Sequence, residues 1–388
     1  IFIVVNHKVY FRYIFIKNTE YNLLISLSLG KVKISLKGSS AMSILDILNI
    51  KHPIFLAPMA GVSTPELAAE VSNQGGLGSL GLGASAVSAA CEQILKTQEL
   101  TDQPFQVNFF CHQPEALNET ANQAWIEHLK PEFAKFHADA PQDLKCIYPS
   151  FLYNDDFLNL VLETQPKAVS FHFGIPHADQ IQKLKDAGII TMVSATNLAE
   201  AKAIEAAGID LIIAQGVEAG GHRGIFNPDL DGAIKTLDLI QLIKKYCQTP
   251  VVAAGGIMNG QQAKQALNAG ADAVQLGTAF VQCKSSNANA AYRKALFDHP
   301  ITQITASISG RPARGLINQW ASFIDLPDRP QVAPYPYAYD LAKQLNALAV
   351  QNGEAGYGAF WAGSNVAQIR QLEAQDLINQ LVVEMNQY

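Results

Sequence analysis

Two adjacent glycines and a histidine follow an apolar run near the middle of the chain. The run Leu211 to Ala214 is typical of a strand buried on both faces, and it stops at Gln215 and a turn that holds Gly220 and Gly221. His222 comes directly after these glycines. Because glycine lets a backbone approach a ligand or adopt positive φ, this turn could hold amides and an imidazole against a bound molecule. The alternative is a tight turn with an incidental surface histidine.

Short apolar runs and helical patterns alternate on both sides of this turn. Amphipathic stretches such as 197–207 and 260–269 predict helices, and alternation with strands predicts a parallel sheet. Three of the helices end in a glycine followed at once by an apolar run, at Gly188, Gly208 and Gly270. The eight predicted strands are Ile54 to Met59, Gly78 to Leu82, Phe105 to Phe110, Ala168 to Phe173, Ile189 to Ser194, Leu211 to Gln215, Val251 to Ala254 and Ala273 to Leu276.

Eight such units predict an α/β fold of the (β/α)8 or TIM-barrel type. A doubly wound sheet would more often carry its GxGxxG fingerprint after the first strand, and this chain has none there. Residues 146–151 could form a ninth strand, but Pro149 interrupts them, so we assign them to the long connection between the third and fourth strands.

The segments that flank the barrel have different patterns. Residues 1–41 are rich in Ile, Tyr, Phe, Lys and Asn without a clear period, so we expect an upstream extension outside the catalytic domain, with Met42 as the natural start. A targeting arm is the alternative. We place the barrel at residues 42–290. Residues 291–388 are expected to form a mainly helical segment that packs over one end of the barrel and contributes to the substrate pocket.

Composition favours a small-molecule ligand. A formal net charge of -6 without a dense Lys/Arg run argues against nucleic acid or an anionic membrane surface as partner. The five scattered cysteines contain no CxxC pair, which favours a reduced, cytoplasmic setting over a disulfide framework or a zinc site. We predict no bound metal, because no two His or carboxylate side chains have ligand spacing on one element. We expect no transmembrane helix, and both a monomer and a homodimer remain open.

The ends of the predicted strands suggest the ligand. In barrel enzymes the site lies at the carboxyl ends of the strands, and the loops after the seventh and eighth strands commonly bind phosphate. Gly255–Gly256 and Gly277–Thr278 occupy these two loops, although two ordinary turns are the alternative. Asn108 and Gln215 place amides at the ends of two other strands, where they suit the edge of a flat polar heterocycle. Phosphate and heterocycle together suggest a mononucleotide such as FMN.

Six motifs in order carry a resemblance to a known family. APMAG, VNFFCH, SFHFG, AQGVEAGGHRG, AAGGI and QLGTAF resemble the nitronate monooxygenases, the FMN enzymes formerly called 2-nitropropane dioxygenases, from about Met42 onward. AGGHRG together with VNFFCH is similar to the class I branch. The resemblance implies a TIM barrel with non-covalent FMN and a nitronate near the flavin. It also implies oxidative denitrification of alkyl nitronates, such as propionate 3-nitronate, by O2 to carbonyl compounds and nitrite without NAD(P)H.

The resemblance implies roles for particular residues. His222 would be the catalytic imidazole, either protonated to bind nitro oxygens or neutral to act as a base toward a nitroalkane. Tyr335, Tyr339 and Lys343 would line the substrate site, where spacings of four could put them on one helix face. The alternative is that these three residues lie at the exposed edge of a surface helix. The last motif of the family usually reads AGQ, whereas residues 362–364 of this chain read AGS. No role is therefore assigned to Ser364. The residues that would hold FMN are Met59, Asn108, Gln215, Gly220, Gly255, Gly256, Gln275, Leu276, Gly277 and Thr278.

Some residues and functions stay open at this point. His112 and His172 lie near predicted strand ends, where structural or supporting roles are the more common ones. Arg311 and Arg314 could bind an anion or tie the C-terminal segment to the barrel. The alternative functions are an NAD(P)H-dependent flavin reductase acting on a quinone or an enoyl thioester, and a flavin-binding protein without turnover.

Overall fold

The alternating pattern of the sequence folds into a closed ring of strands. A computed structural model describes residues 14–18, 21–28, 31–38, 43–114 and 117–387, and the chain divides into two units, residues 1–47 and 48–388. In the smaller unit the backbone forms an antiparallel sheet of three strands, β1 (Ile14–Asn18), β2 (Tyr21–Ser28) and β3 (Lys31–Gly38). The sequence of this segment has no clear period and did not predict these strands. The predicted start at Met42 lies outside the described residues.

The larger unit contains the predicted TIM barrel, which is confirmed. Eight strands form one parallel sheet in the order β4-β12-β11-β9-β8-β7-β6-β5, and a parallel bridge between Phe55 and Leu77 joins its two ends. Every predicted barrel strand is present, with ends that differ by at most three residues. The strands of this unit are β4 (Ile54–Leu56), β5 (Gly78–Gly81), β6 (Phe105–Phe110), β7 (Ala168–His172), β8 (Ile190–Ala195), β9 (Leu211–Gln215), β10 (Gly221–His222), β11 (Val251–Ala254), β12 (Ala273–Leu276), β13 (Thr302–Thr305) and β14 (Ala313–Leu316).

Helices surround the barrel and continue past it. None of the helices in the described part of the chain is long and apolar enough to cross a membrane. They are α1 (Ile44–Leu48), α2 (Pro65–Asn73), α3 (Val87–Leu100), α4 (Glu119–Ala134), α5 (Asp155–Thr164), α6 (Ala178–Asp186), α7 (Leu198–Ala206), α8 (Thr236–Tyr246), α9 (Gly260–Asn268), α10 (Ala290–Asp298), α11 (Gln319–Phe323), α12 (Tyr337–Gln351) and α13 (Ala374–Gln387).

Local signals set the ends of these helices as the sequence predicts. The side chains of Asn197 and Asn259 accept hydrogen bonds from backbone amides three residues on, and so cap α7 and α9. Gly188, Gly208 and Gly270 all have positive φ after α6, α7 and α9. Residues 146–151 form no strand, which confirms their assignment to the connection between β6 and β7.

The C-terminal segment is mainly helical but contains two strands that the sequence did not predict. β13 and β14 form an antiparallel sheet with β10, in the order β10-β14-β13. Each of these strands has only two to four residues, too few for a period, and their pairing joins positions far apart in the chain. Helix α12 packs against α4, and α13 packs against α9 and α2. The pairing of Gly221 with Arg314 and of His222 with Ala313 fixes the Gly-Gly-His turn to this segment.

Candidate active site

A cavity of about 790 Å³ lies at the carboxyl ends of the barrel strands. This volume falls within the range of cofactor and ligand sites in proteins. Barrel loops form one part of its wall, and residues of the C-terminal segment form another. Every residue that the sequence analysis assigned to the site lines it: Met59, Asn108, Gln215, Gly220, His222, Gly255, Gly256, Gln275, Leu276, Gly277, Thr278, Tyr335, Tyr339 and Lys343.

The two glycine-containing loops after β11 and β12 form a cradle of backbone amides. Gly255 and Gly256 have φ of +126° and +70°, and a Cβ on Gly256 would lie 2.9 Å from the Cβ of Glu218. The amides of Gly256, Ile257 and Thr278 have no acceptor in the part of the chain that the structure describes. Free amides at a βα turn and at the start of a short helix are the groups that bind phosphate. We call these two loops the phosphate cradle.

Asn108 lies in β6, two residues before the end of the strand, and both hydrogens of its side-chain amide are already used. Its Nδ2 donates to the backbone oxygen of Ser170 at 3.1 Å and to Ser170 Oγ at 3.0 Å. The side chain is 4% exposed and lies on the cavity wall. Because both hydrogens point to β7, the Oδ1 oxygen is the group that Asn108 can offer to a ligand.

Gln215 ends β9 and shapes the turn that follows it. Its Oε1 accepts hydrogen bonds from Gly224 N at 2.7 Å and from Arg223 Nη1 at 3.1 Å, and its Nε2 donates to the His222 oxygen at 2.9 Å. Arg223 is fully buried and also pairs with Asp231, at 2.8 Å from Nε to Oδ2. The amide of Gln215 therefore holds the turn that carries His222.

His222 is the last residue of β10 and lies beside a wall of aromatic side chains. Gly221, with φ of +77°, turns the chain into β10, and His222 Nε2 lies 2.8 Å from Ser309 Oγ. The imidazole ring centre is 5.3 Å from that of Trp361. Three more aromatic rings lie at centre distances of 5.7 to 6.0 Å, and they belong to Phe173, Tyr335 and Tyr339.

Three histidines near the cavity have lowered pKa values. Burial, then the charges of His172 and Arg311, lowers the pKa of His222 to about 3. Burial, then Arg223, lowers the pKa of His172 to about 4, and burial, then Arg311, lowers that of His112 to about 4. All three imidazoles are therefore neutral near pH 7. The low pKa of His222 opposes the protonated role considered for it and leaves a neutral imidazole.

The three residues assigned to the substrate site come together, but not on one helix. Tyr335 precedes α12 and joins it through a cis peptide bond to Pro336, while Tyr339 and Lys343 lie on the helix. The predicted single helix face is wrong at Tyr335, because the proline fixes a separate turn there. Tyr335 is 2% exposed, so a surface helix edge does not describe it. Lys343 Nζ donates to the hydroxyl of Tyr148 at 2.9 Å.

The remaining open residues support the site. Arg311 Nη2 donates to the Ile225 oxygen at 2.8 Å, and Arg314 Nε donates to the Val217 oxygen at 2.9 Å. Both arginines therefore tie the C-terminal segment to the stretch of chain between β9 and α8. His172 lines the cavity and bonds Ser194 Oγ at 2.8 Å. His112 packs edge-on against the Tyr335 ring at 5.0 Å between ring centres.

Comparison with known proteins agrees with this geometry. A model of the nitronate monooxygenase family matches residues 41–384. The chain belongs to this family. It is 50% identical to a nitronate monooxygenase of Paraburkholderia phytofirmans, over 89% of this chain and 95% of that one, and 48% identical to one of Pseudomonas aeruginosa, over 87% and 97%. The crystal structure of nitroalkane oxidase from Streptomyces ansochromogenes has a TM-score of 0.82 at 38% identity, over 89% of this chain and 98% of that one.

Membership of the nitronate monooxygenase family defines the chemistry in outline. The chain is an oxidoreductase that oxidises nitronates, and the family consists of flavin enzymes. The amide cradle and the acceptor on Asn108 fit a flavin nucleotide, since they offer donors to a phosphate and an acceptor to a ring edge.

Three residues in or beside the cavity were not identified from the sequence. Tyr148 lies in the long connection between β6 and β7, and the length of that connection was its signal. Trp361 lies directly before the closing AGS motif, whose position marked this stretch. Ser309 precedes the Arg311 motif, but it contacts His222 only because β10 pairs with β14.

The neutral histidines predict how stability depends on pH. Their folded pKa values lie below the ordinary value of 6.5, so their contribution to stability is present above pH 6.5 and is lost as pH falls toward 4. Between pH 6.5 and 5 we expect the free energy of unfolding in urea to fall, with uptake of nearly one proton per histidine.

His222→Phe should lower the number of protons taken up on unfolding by about one. The matched control is His128→Phe, at a half-buried position away from the cavity. If the free energy of unfolding depends on pH equally in His222→Phe and in the unsubstituted chain, the neutral state of His222 is contradicted.

Proposed function

We propose that this chain is a class I nitronate monooxygenase that binds FMN non-covalently in the cavity. The observation that carries the proposal is the shared wall, in which free backbone amides and a neutral imidazole face one cavity of about 790 Å³. The phosphate cradle would hold the FMN phosphate, and the barrel side chains would hold the ring. When bound, FMN supplies the redox chemistry between the nitronate and O2.

Ser309 determines which nitrogen of His222 can act as a base. Its single hydroxyl hydrogen can be donated to the Arg311 oxygen, at 3.1 Å, and His222 Nε2 then donates to Ser309 Oγ, at 2.8 Å. This arrangement leaves the lone pair on Nδ1. A neutral Nδ1 can accept the α-proton of a nitroalkane, which breaks the C–H bond and leaves the substrate as its nitronate. A substrate supplied as the nitronate needs no such step.

Lys343 provides positive charge in the substrate part of the cavity. Its Nζ donates to Tyr148 and lies 6.0 Å from the centre of the Tyr339 ring. Within the described residues, no carboxylate forms an ion pair with it. Burial, then the Asp340 charge, raises the pKa of Tyr148 to about 12, so Tyr148 stays a neutral partner. A free cation here suits a substrate with a second anionic group, such as the carboxylate of propionate 3-nitronate.

The aromatic wall restricts water at the reacting atoms. Trp361, Tyr335, Tyr339 and Phe173 surround His222, and their rings contact one another edge-on or tilted. Such a wall keeps the imidazole neutral and strengthens hydrogen bonds to the substrate. The protein thus contributes positioning, charge and exclusion of water.

The deciding experiment compares two reductants. The purified chain with FMN is mixed anaerobically with propionate 3-nitronate, and in a separate run with NADH, while the flavin absorbance is followed. We expect loss of absorbance with the nitronate alone, and nitrite when air is admitted. Loss with NADH alone would indicate a flavin reductase. No response to either, with FMN still bound, would indicate a binding protein without turnover.

His222→Gln tests whether the imidazole acts as a base. Glutamine keeps a hydrogen-bonding group but cannot act as a base near pH 7, so turnover of a neutral nitroalkane should fall by about 10²-fold or more. Turnover of the corresponding preformed nitronate should fall much less. Nitrite release from nitroethane and from ethyl nitronate measures both, and equal losses on the two substrates would contradict a base role. His128→Gln is the control, since His128 contacts the Ile324 oxygen away from the cavity.

Lys343→Met tests the proposed carboxylate site. Methionine keeps much of the length and apolar stem but removes the charge, so the KM for propionate 3-nitronate should rise about tenfold or more, as for a lost charge-assisted hydrogen bond. The KM for ethyl nitronate, which has no carboxylate, should change little. Lys294→Met, at an exposed position on α10, is the control. Equal changes in the two KM values would contradict the assignment.

A further inference from the structure

A short part of the C-terminal segment crosses the phosphate cradle. Residues 363–370, which we call the C-terminal strap, make three hydrogen bonds at or next to this cradle. Gly363 N donates to Thr278 Oγ1 at 2.9 Å, in the loop after β12. Ser364 N donates to the Glu218 oxygen at 2.9 Å. Asn365 Nδ2 donates to the Gly256 oxygen at 2.6 Å, in the loop after β11. The strap therefore bonds to both loops of the cradle.

The rest of the strap is anchored to the start of α9. Gln368 Oε1 accepts from Asn259 Nδ2 at 3.0 Å and from Gln262 Nε2 at 3.2 Å. Arg370 Nη2 donates to the Met258 oxygen at 2.8 Å, and its Nη1 is 2.7 Å from Glu384 Oε1. These contacts hold the strap in place independently of Asn365. Removing the Asn365 amide should therefore leave the strap where it is.

The contact at Gly256 controls the direction of a free amide. The C=O of Gly256 and the N–H of Ile257 belong to one planar peptide group and point in opposite directions. When Asn365 fixes the Gly256 oxygen, it also fixes the direction of the Ile257 N–H. That amide lines the cavity and has no acceptor among the described residues. With φ of +126° and +70°, Gly255 and Gly256 have access to backbone conformations that other residues avoid, so this peptide needs an external restraint.

We propose that Asn365 is a positioning residue for the FMN phosphate. It holds the Gly256–Ile257 peptide so that the Ile257 amide donates to the phosphate. The inference rests on the proposed FMN site and adds to it a residue that does not line the cavity. Ser364 has an exposed side chain and uses its backbone amide, so Asn365 supplies the side-chain contact to the cradle.

Comparison of FMN with riboflavin isolates the phosphate. The two molecules share the ring and the ribityl chain and differ only in this group. Dissociation constants for both are measured by flavin fluorescence on the full chain after its flavin has been removed. In Asn365→Ala we expect the FMN constant to rise about fivefold, as for one lost hydrogen bond, and the riboflavin constant to stay within about twofold.

Asn365→Asp makes the test sharper. The aspartate carboxylate cannot donate to the Gly256 oxygen and adds negative charge beside the phosphate. The FMN dissociation constant should therefore rise more than in Asn365→Ala, by about tenfold or more. The riboflavin constant should again change little. Asn352→Ala is the control, because the Asn352 amide bonds the Leu348 oxygen of its own helix, and both of its constants should equal those of the unsubstituted chain.

The outcomes separate this proposal from the cofactor assignment. If the FMN and riboflavin dissociation constants rise equally in Asn365→Ala, the residue has a general structural role and the proposal is wrong. An unchanged FMN constant overturns it as well. If the unsubstituted chain binds FMN no more tightly than riboflavin, the phosphate cradle itself is wrongly assigned, and the proposed function loses its cofactor.

Discussion

The site depends most on the hydrogen bonds and the ion pair that one buried arginine makes. Arg223 is fully buried directly after His222, and its guanidinium donates to the oxygens of Gln215 and Gly216 and pairs with Asp231. A buried charge is tolerated only when its hydrogen bonds are satisfied, and loss of one partner of such a pair typically costs about 3–5 kcal/mol. The pairing therefore determines one conformation for the turn after β9. That conformation places the imidazole of His222 at the cavity.

The turn acts together with the C-terminal segment. β14 pairs with the two residues of β10, Ser309 bonds the imidazole, and Trp361 packs against it. Neither the barrel nor the C-terminal segment forms the site alone, because the amide cradle belongs to one and most of the aromatic wall to the other.

Charge is distributed unevenly around the cavity. The histidines near its centre are neutral because burial and nearby arginines oppose a further positive charge. Lys343 places its charge beside Tyr148. A neutral imidazole and a separate cation can contact different parts of one anionic substrate. Arg223, Arg311 and Arg314 all donate to backbone oxygens, and Arg223 also pairs with Asp231.

The sequence alone determined the barrel and predicted fourteen residues that line the cavity. Buried strands, Asn caps and C-terminal glycines are local signals, so the strands and helices around them could be predicted within a few residues. Glycines at the ends of β11 and β12 and the histidine after β9 were recognisable because parallel strands bring their carboxyl ends to one face. The tertiary structure decided what depends on distant contacts. Pairing of β10 with β14, the proline turn at Tyr335 and the amide of Asn365 at Gly256 all join parts of the chain whose proximity no local pattern encodes. The low pKa of His222 has the same origin, since desolvation arises only when the aromatic wall closes around the ring.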